Sequence, residues 1–362
     1  MRASYCFALR EQNRLAYEED EAFCARLPAD LGDELRKHLA SQIFPLEDNL
    51  KLFDKLTADN LGERLTRIQL APANLHWCSD DGLLALNEKA LASGVPMHMH
   101  VLETAYQKEY ARRRTGKTAV RHLYDLGVLG PQMTMGHGVW LTEEDIDIAA
   151  HTGTCICHNC SSNFRLRSGV APLNRFEAKG VTVGMGLDEA GINDDRDMLQ
   201  ELRLVLRAHR TPGMDDTVPT CPQVLRMATE HGAMTTPFGA SIGRLDPGRF
   251  FDAALINWKT ATYPYQDEDI PPLDAVIQRA KTNAVDAVYC DGELIYADGR
   301  FTRVDRDAVL KEVAAALSRP RTPEELVRYR LGHGVVPHLK AFYDGYLEGE
   351  RREPFYSPSS RN

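Results

Sequence analysis

The chain has 362 residues, of which 43% are hydrophobic and 26% are charged, and its formal net charge at pH 7 is -9. This length exceeds that of a usual single-core domain, so we expect either one large α/β barrel or two domains. The acidic balance argues against nucleic-acid and anionic-membrane partners, which are usually met by basic patches. No apolar run approaches the length of a membrane span and no signal peptide precedes Arg2, so we expect a cytoplasmic protein.

Short apolar runs alternate with longer helical patterns through the first half of the chain, which is typical of βα units and a parallel sheet. The candidate strands are residues 4–10, 67–72, 95–101, 132–139, 154–159 and 181–188. Polar or ionisable residues gather at the C-terminal ends of these strands, where a (β/α) barrel builds its active site. A closed barrel needs eight strands, and the sequence provides six.

Helical patterns connect these strands, as in residues 80–94 and 141–153. In the second pattern Thr142 can cap the helix, Asp145 can complete a capping box and Gly153 can end the helix. Later patterns predict two helices, two segments that read as strands joined by Gly/Asp turns and would form a small β appendage, and one helix in a charged tail. These segments are, in order, residues 195–210, 221–233, 243–258, 284–301 and 306–318.

Ionisable side chains at the strand ends define the candidate site: His98, His100, Glu103, His137, His158 and Asp188. Imidazole nitrogen and carboxylate oxygen suit Zn²⁺ or Fe²⁺, which polarise a bound water and bring its pKa toward neutrality. A nearby carboxylate can then transfer protons. The pattern therefore predicts a site where one divalent metal, Zn²⁺ or Fe²⁺, activates water.

The motifs "HVLET", "GHGVWL", "CHNCSSN", "GMGLDEAG" and "GRLDPGRFFDAALI" occur in this order. With them the chain resembles the amidohydrolase superfamily, in particular the branch of methylthioadenosine/S-adenosylhomocysteine deaminases, guanine and cytosine deaminases and s-triazine chlorohydrolases. The resemblance extends from about residue 1 to about residue 300. It implies a (β/α)8 TIM barrel of amidohydrolase type, here incomplete with about strands 3 to 8, and the C-terminal part of a small β appendage.

The resemblance also implies roles for single residues. His100 and Asp188 would be metal ligands, and Asp188 would also take the proton of the activated water. Glu103 would be the general acid that protonates the ring or amide nitrogen of the substrate, and His137 would orient the activated water. Asn163 would lie near the substrate or support the turn after strand 7.

The family's strand-1 His-x-His has no counterpart in this chain. The only His-x-His is "HMH", and since one βα unit separates it from His137, we place His98 on strand 5 as an additional histidine two residues before His100. Three interpretations follow. Met1 is an internal methionine of a longer enzyme, another polypeptide supplies the missing segment, or the chain is a paralogue that has lost its metal chemistry. Six of eight strands would leave two unpaired sheet edges, which favours the first interpretation.

The fourth strand also departs from the adenosine deaminases of this branch, which carry a Pro-His pair there. In "APANLHWCS" Ala73 follows Pro72 and the only histidine is His76, so an adenosine-type substrate is open to doubt. We take His76 and Trp77 as candidate substrate-binding residues with Asn163. Further weak candidates at the barrel mouth are Arg10, Asn13, Trp140 and Glu189, while His158 is more simply a structural histidine and residues 17–23 a solvated helix face.

The cysteine cluster "CICHNC" raises the question of a structural zinc site. Such a site needs a second set of paired ligands, and none is found elsewhere in the sequence. In a long chain without a secretory signal, reduced thiols are the default. We rank a zinc-structural protein last among the alternatives.

The expected organisation is a metal-dependent hydrolase barrel over residues 1–242, a β appendage over 243–304 and a helical tail over 305–362. The expected function is metal-dependent hydrolysis of a carbon-nitrogen bond, other than a peptide bond, in a small heterocyclic or amide substrate by a cytoplasmic homo-oligomer. The alternative is a catalytically inactive truncated paralogue or partner subunit that lacks half of the metal site.

Overall fold

The computed structural model describes residues 1–189, 191–192, 196–211, 214 and 218–348. Within these ranges no helix is both long enough and apolar enough to cross a membrane. The N-terminal part alternates strands and helices, as the sequence pattern predicts. Its strands are β1 (Ala3–Tyr5), β2 (Ala8–Leu9), β3 (Thr66–Ile68), β4 (Ala71–Pro72), β5 (Met97–Val101), β6 (Met133–His137), β7 (Cys155–His158) and β8 (Val183–Met185).

These strands form six parallel positions. β1 and β2 occupy the first position and pair with β3 and β4, which occupy the second. Parallel bridges from Leu70 to Met97 and from Asn74 to His100 connect the second position to β5, after which β6, β7 and β8 follow in chain order. The six predicted strands are confirmed in order and direction, although each is shorter than its apolar run. Within the described ranges, β8 pairs only with β7.

Helices cover this sheet and connect its strands. They are α1 (Asp20–Cys24), α2 (Ala29–Ala40), α3 (Leu46–Asp59), α4 (Asp80–Ser93), α5 (Ala105–Thr115), α6 (Ala119–Asp125), α7 (Glu143–Thr152), α8 (Cys160–Arg165), α9 (Leu173–Ala178), α10 (Met198–Ala208), α11 (Cys221–Arg226) and α12 (Gly232–Met234), with a π-helical turn at Met227–His231 between the last two.

Local sequence fixes where α7 begins and ends. The Thr142 hydroxyl accepts a hydrogen bond from the Asp145 backbone N–H, and the Asp145 carboxylate accepts one from the Thr142 N–H at 2.9 Å. Gly153 ends the helix with φ 73°, a left-handed conformation that glycine adopts without strain. The predicted capping box and C-terminal glycine are confirmed.

The main core lies between the parallel sheet and these helices. Met97, Met99, Met133 and Met135 from β5 and β6 are buried in it, together with aliphatic residues of the surrounding helices. Alternate residues of β5 face this core, whereas His98 and His100 share the other face of the strand and are less buried. The strand pleat therefore sends both histidines away from the methionine core.

A separate antiparallel sheet of four strands forms the predicted β appendage. In the predicted segment 243–258 the paired strand is Ala253–Ile256, and Gly243 and Gly248 lie before it in left-handed turns. Two helices intervene before the next strand. The elements are β9 (Ala253–Ile256), α13 (Trp258–Thr262), α14 (Pro272–Arg279), β10 (Val285–Cys290), β11 (Glu293–Ala297) and β12 (Arg300–Phe301). The strands lie in the order β12-β11-β10-β9.

The tail contains the predicted helix, α15 (Arg306–Ser318), and a longer helix that the sequence pattern did not predict, α16 (Pro323–Tyr343). Thr322 and Glu325 form a capping box at the start of α16. The helix contributes Val335 to a second buried cluster with Phe23 and Leu35 of α1 and α2. The C-terminal tail therefore packs against the segment that follows the first strand.

Candidate active site

His100 lies near the end of β5, where the parallel strands present their C-terminal ends. Its Nδ1–H donates a hydrogen bond to the backbone oxygen of Ala73 at 2.8 Å. This bond fixes the ring orientation and leaves the Nε2 lone pair for another partner, as is usual for a histidine that binds a metal.

His137 is the last residue of β6 and is almost fully buried. Its Nδ1–H donates to Asn163 Oδ1 at 2.8 Å, so that its Nε2 also carries a lone pair. This Nε2 faces two carboxylates, at 3.7 Å from Asp188 Oδ2 and 3.9 Å from Glu103 Oε2. A lone pair opposed to two carboxylate oxygens is electrostatically stable only with a proton or a cation between them.

Asp188 follows β8, and its carboxylate is held by two hydrogen bonds. Oδ2 accepts from the Ser162 hydroxyl at 2.6 Å, and Oδ1 accepts from the Glu189 backbone N–H at 2.8 Å. Asp188 and His137 both have positive φ, 61° and 72°, which is uncommon for residues other than glycine. Such strained conformations cluster at functional sites, where the surrounding structure enforces them.

Glu103 comes just after β5 and completes the group. Its Oε1 accepts a hydrogen bond from the Ser168 hydroxyl at 3.3 Å, and its backbone N–H donates to Gln107 Oε1 at 2.7 Å. The carboxylate lines the same cavity as His100 and Asp188. A carboxyl group is thus placed where it can exchange a proton with a molecule in that cavity.

The donor atoms fit a divalent metal. One ligand atom each from His100, His137 and Asp188 lie within 4.8 Å of one another. Imidazole nitrogen and carboxylate oxygen are ligands that zinc accepts, and three protein ligands with an open position are the composition of catalytic zinc sites. The two free Nε2 lone pairs and the Asp188 carboxylate lack a cation among the described side chains, so the site suits a metal.

The cavity at the strand ends has a volume of about 430 Å³. His76 and Trp77, the candidate substrate-binding residues, line it, and so do Arg10 and Asn13. The Arg10 guanidinium lies over the Trp77 ring at 4.3 Å. Burial, with the nearby positive charge of Arg10, lowers the pKa of His76 to about 3, so this imidazole is neutral at physiological pH.

Asn163, His98 and Trp140 do not line this cavity. Asn163 is buried behind His137 and holds its ring. His98 Nε2 contacts the backbone oxygen of Thr235 at 2.6 Å, and the Trp140 indole N–H donates to the backbone oxygen of Ser168 at 2.8 Å. Asn163 and Trp140 therefore contact residues next to the site rather than form its surface, and His98 contacts the backbone at the end of α12.

His158 is also buried outside the cavity. One ligand atom each from His158, Cys160 and His209 lie within 4.8 Å of one another there. His158 Nε2 and His209 Nε2 are 2.9 Å apart, which is a hydrogen bond between neutral imidazoles. Burial lowers the pKa of His209 to about 4 and that of His158 well below its usual value. In the "CICHNC" cluster, Cys155 and Cys157 belong to no metal-binding group among the described residues.

Tyr17 is a cavity residue that the sequence pattern did not single out, because it stands in what we interpreted as a solvated acidic helix. Its ring lies 4.2 Å from that of His76 and 5.7 Å from that of Tyr343. Burial raises the pKa of Tyr17 to about 12, against the opposing effect of hydrogen bonds to the Thr104 and Gln107 side chains. In the sequence, the only sign that this segment contributes to the cavity was the aromatic residue that begins the acidic run.

Comparison with known proteins agrees with this geometry. Residues 34–295 match the model of the amidohydrolase family. The chain is 29% identical over 294 residues, 81% of its length and 66% of the relative's, to a 5-methylthioadenosine/S-adenosylhomocysteine deaminase from Syntrophobacter fumaroxidans. It spans about half to two thirds of the length of the curated relatives that it matches.

Solved structures support the same fold. A triazine hydrolase from Arthrobacter aurescens superposes with a TM-score of 0.75 at 20% identity, covering 88% of this chain and 66% of that one. A zinc-bound adenosine deaminase from Xanthomonas campestris gives a TM-score of 0.70 at 22% identity, with coverages of 79% and 62%. The predicted resemblance and the barrel-type α/β fold are confirmed, and the chain belongs to the amidohydrolase family.

Proposed function

We propose that the chain is a metal-dependent hydrolase that cleaves a carbon-nitrogen bond in a small heterocyclic substrate, as a deaminase does. The observation that carries this proposal is that His100, Asp188 and Glu103 line one cavity at the C-terminal ends of the strands and that buried His137 faces the two carboxylates from behind them. The deaminase names of its relatives support the same reaction class. The cavity volume of about 430 Å³ lies within the range of ligand pockets.

The proposed metal is a single Zn²⁺, held by His100 and Asp188 with His137 facing the same position. When bound, such an ion lowers the pKa of water and polarises the substrate. The adenosine deaminase from Xanthomonas campestris was crystallised with bound zinc, which supports this choice over Fe²⁺.

The remaining roles are proton transfers and orientation. Asp188 takes a proton from water at its carboxylate, in a position that the Ser162 hydroxyl fixes. Glu103 delivers a proton to a ring nitrogen of the substrate, which makes the attacked carbon more electrophilic. His137 orients the water, because Asn163 holds its ring and leaves Nε2 pointed at the two carboxylates.

The walls of the cavity suit a flat, polar heterocycle. Trp77 offers an aromatic face, and neutral His76 offers a nitrogen for hydrogen bonding. Asn163 contributes to substrate binding through His137. The carboxylate of Glu189 at the rim favours an amine-bearing substrate.

We also propose a cytoplasmic homo-oligomer divided into a barrel at 1–242, an appendage at 243–304 and a tail at 305–362. All eight cysteines are free, which agrees with a reducing compartment. The separate antiparallel sheet of β9 to β12 supports the boundary of the appendage.

The second candidate is a catalytically silent barrel that acts as a partner subunit. In the resembling enzymes a strand-1 His-x-His supplies two further ligands, and this motif is not among the 362 residues of this sequence. Metal content separates the two candidates, because a silent chain retains no tightly bound zinc.

The test is Glu103→Gln in the zinc-loaded chain, assayed by ammonia release from 5′-methylthioadenosine and from guanine. We expect a loss of at least about 100-fold in kcat with unchanged zinc content and unfolding midpoint, since the amide cannot deliver the proton. The matched control is Glu88→Gln on the exposed face of α4. Undiminished turnover in Glu103→Gln refutes its role as the acid, and a wild-type chain that neither holds zinc nor releases ammonia favours the silent barrel.

A further inference from the structure

A second group of side chains that can bind a metal lies outside the cavity of the proposed active site. His158 ends β7, Cys160 begins α8 and His209 directly follows α10, so three elements meet at this group. All three side chains are buried, no more than 6% exposed, and none of them lines the cavity at the strand ends. We call this group the His-Cys-His cluster.

The polar atoms of the cluster do not satisfy one another. The hydrogen bond between the Nε2 atoms of His158 and His209 uses a single hydrogen, and His158 Nδ1 has no hydrogen-bond partner among the described residues. Beside them, Asn174 Nδ2 donates to the His209 backbone oxygen at 2.9 Å, while Asn174 Oδ1 is also buried without a partner in these ranges. Buried polar atoms of native proteins are normally paired, so this group is incomplete as a hydrogen-bonded network.

The distances within the cluster fit a zinc ion. One ligand atom from each side chain lies within 4.8 Å of the other two, and the two Nε2 atoms are 2.9 Å apart. Around a tetrahedral zinc ion with usual bond lengths, two nitrogens are about 3.3 Å apart and a nitrogen and a sulfur about 3.6 Å apart. Small side-chain shifts are therefore enough for an ion to replace the hydrogen between the two rings.

The chemistry of the donor atoms selects a soft or borderline metal. Imidazole nitrogen and thiolate sulfur suit zinc, whereas magnesium and calcium prefer oxygen ligands. Burial keeps the His158 and His209 imidazoles neutral, which is the state that binds a metal. Cys160 is a free thiol that could lose its proton to the solvent when an ion binds.

A buried carboxylate beside the cluster completes the charge balance. Glu201 accepts a hydrogen bond from the Ser161 backbone N–H at 3.0 Å, next to Cys160. Glu201 is fully buried and forms no ion pair with a cationic side chain of the described ranges. A Zn²⁺ ion on the Cys160 thiolate would face one further negative charge, so the buried charges would sum to zero.

From these observations we propose that His158, Cys160 and His209 bind a second zinc ion, which joins the end of β7 and the start of α8 to the end of α10. One nitrogen of each imidazole and the Cys160 thiolate coordinate the ion. Water takes the fourth position, because no other described His, Cys, Asp or Glu offers a ligand atom within the same distance. The site differs from a zinc knuckle of the "CICHNC" motif, since only one cysteine takes part and His209 comes from a distant helix.

The ion supports the proposed active site through α8. This short helix carries Ser162, whose hydroxyl donates to Asp188, and Asn163, which accepts from His137. An ion bound at the first residue of α8 fixes the helix that orients both of these site residues. The inference does not depend on the proposed function, because the cluster shares no side chain with the proposed catalytic group.

Cobalt distinguishes the two metal sites, because sulfur belongs only to the His-Cys-His cluster. The full-length chain is stripped of metal with a chelator and titrated with Co²⁺ alone, while the near-ultraviolet band of thiolate-to-cobalt charge transfer is recorded. Imidazole and carboxylate ligands such as His100 and Asp188 give no such band. We expect the band in the wild-type chain.

Substitution of single ligands then assigns the band. Cys160→Ser should abolish it and should lower the zinc content, after loading with Zn²⁺ alone, by one ion per chain. The matched control is Cys157→Ser, because Cys157 belongs to the same motif but to no metal-binding group of described residues. This control should keep both the band and the second zinc ion.

The outcomes separate this site from the proposed function. Co²⁺ binding to the wild-type chain without the band overturns the second site, whether or not the variants fold. Loss of the band in Cys157→Ser with its retention in Cys160→Ser also overturns it. Zinc retained by Cys160→Ser belongs to the site of His100 and Asp188, so the metal content that tests the proposed function is measured in this variant.

Discussion

Single hydrogen bonds decide which nitrogen each site histidine offers. The Ala73 carbonyl takes the Nδ1 hydrogen of His100, and the Asn163 amide oxygen takes that of His137. In both rings Nε2 is left as the acceptor. The Nε2 of His137 faces the carboxylates of Glu103 and Asp188. A side chain that never touches the substrate can therefore control the chemistry of one that does.

Asn163→Leu tests this control. The substitution keeps the approximate volume but removes the acceptor of the His137 Nδ1–H, so the ring loses its fixed orientation. We expect kcat/KM or zinc affinity to fall roughly 10- to 100-fold, which is the usual effect of losing such a partner. The control is Asn87→Leu, a buried amide on α4 that accepts from Gln132 at 2.9 Å far from the site. A loss of activity as large in Asn87→Leu would contradict the specific role of Asn163.

The buried pair of His158 and His209 makes stability depend on pH. The folded-state pKa of His209, about 4, lies below the usual value of 6.5, so the unfolded chain binds more protons between these two values. The stabilisation is therefore complete above pH 6.5 and is lost as the pH falls toward 4. By linkage, His209 contributes about 3 kcal/mol to the change in the free energy of unfolding over this pH range.

The prediction is that urea unfolding shows a steep fall in stability from pH 6.5 to pH 4 and that His209→Gln makes this fall shallower. His151→Gln, on an exposed position of α7, should leave the slope as in wild type. An identical slope in wild type and His209→Gln would assign the acid sensitivity to other groups, of which buried His76 is the foremost.

At the scale of elements, α7 shows how far a local signal reaches. Its capping box joins Thr142 and Asp145, and Asp145 also accepts a hydrogen bond from the hydroxyl of Thr118, the residue that caps α6. Thr142→Ala should lower the free energy of unfolding by about 1 kcal/mol, because an orphan backbone N–H loses its acceptor. Thr57→Ala on the exposed face of α3 should change it by less than about 0.5 kcal/mol. Equal effects in chemical denaturation would mean that the cap contributes nothing.

The helix α16 shows where local signals end. Pro337 within it, two glycines and many charges hid the helical pattern, although its capping box of Thr322 and Glu325 was readable. What stabilises this helix is its contact with α1 and α2, some 300 residues earlier in the chain. Tertiary packing of this kind overrides propensity and leaves no trace in a local window.

At the scale of the molecule, strand order and the family resemblance together indicated which residues meet. Strand ends alone gave six candidates, including His98 and His158, which lie outside the cavity, and the resemblance to the amidohydrolase superfamily selected His100, Glu103, His137 and Asp188. Tyr17 could not, since its place in the cavity wall depends on Tyr343, 326 residues away. The candidate ligands were thus predictable from strand order combined with the resemblance, whereas the shape of the cavity depended on how the tail packs.

Arg2 and Arg64 join the β appendage to the barrel through Asp252 and Asp291, and Arg2 is the buried one of the two cations. The Arg2 guanidinium, 6% exposed, lies 2.6 Å from Asp252 and 3.6 Å from Asp291, with the ring of Phe250 at 4.4 Å. Arg2→Ala leaves both carboxylates without this partner. We expect a loss of on the order of 2 kcal/mol, below the 3 to 5 kcal/mol of a fully buried pair because Asp252 is a quarter exposed.

The loss should be local, with amide exchange accelerating in β10 and β11 before it does in β5 and β6. Arg303→Ala is the matched control, since its partner Glu293 belongs to the same appendage but the pair is exposed and should contribute less than about 1 kcal/mol. Faster exchange in all four strands together would mean that barrel and appendage unfold as one unit. Faster exchange confined to the appendage would support the proposed boundary near residue 243, because only a unit with its own stability opens alone.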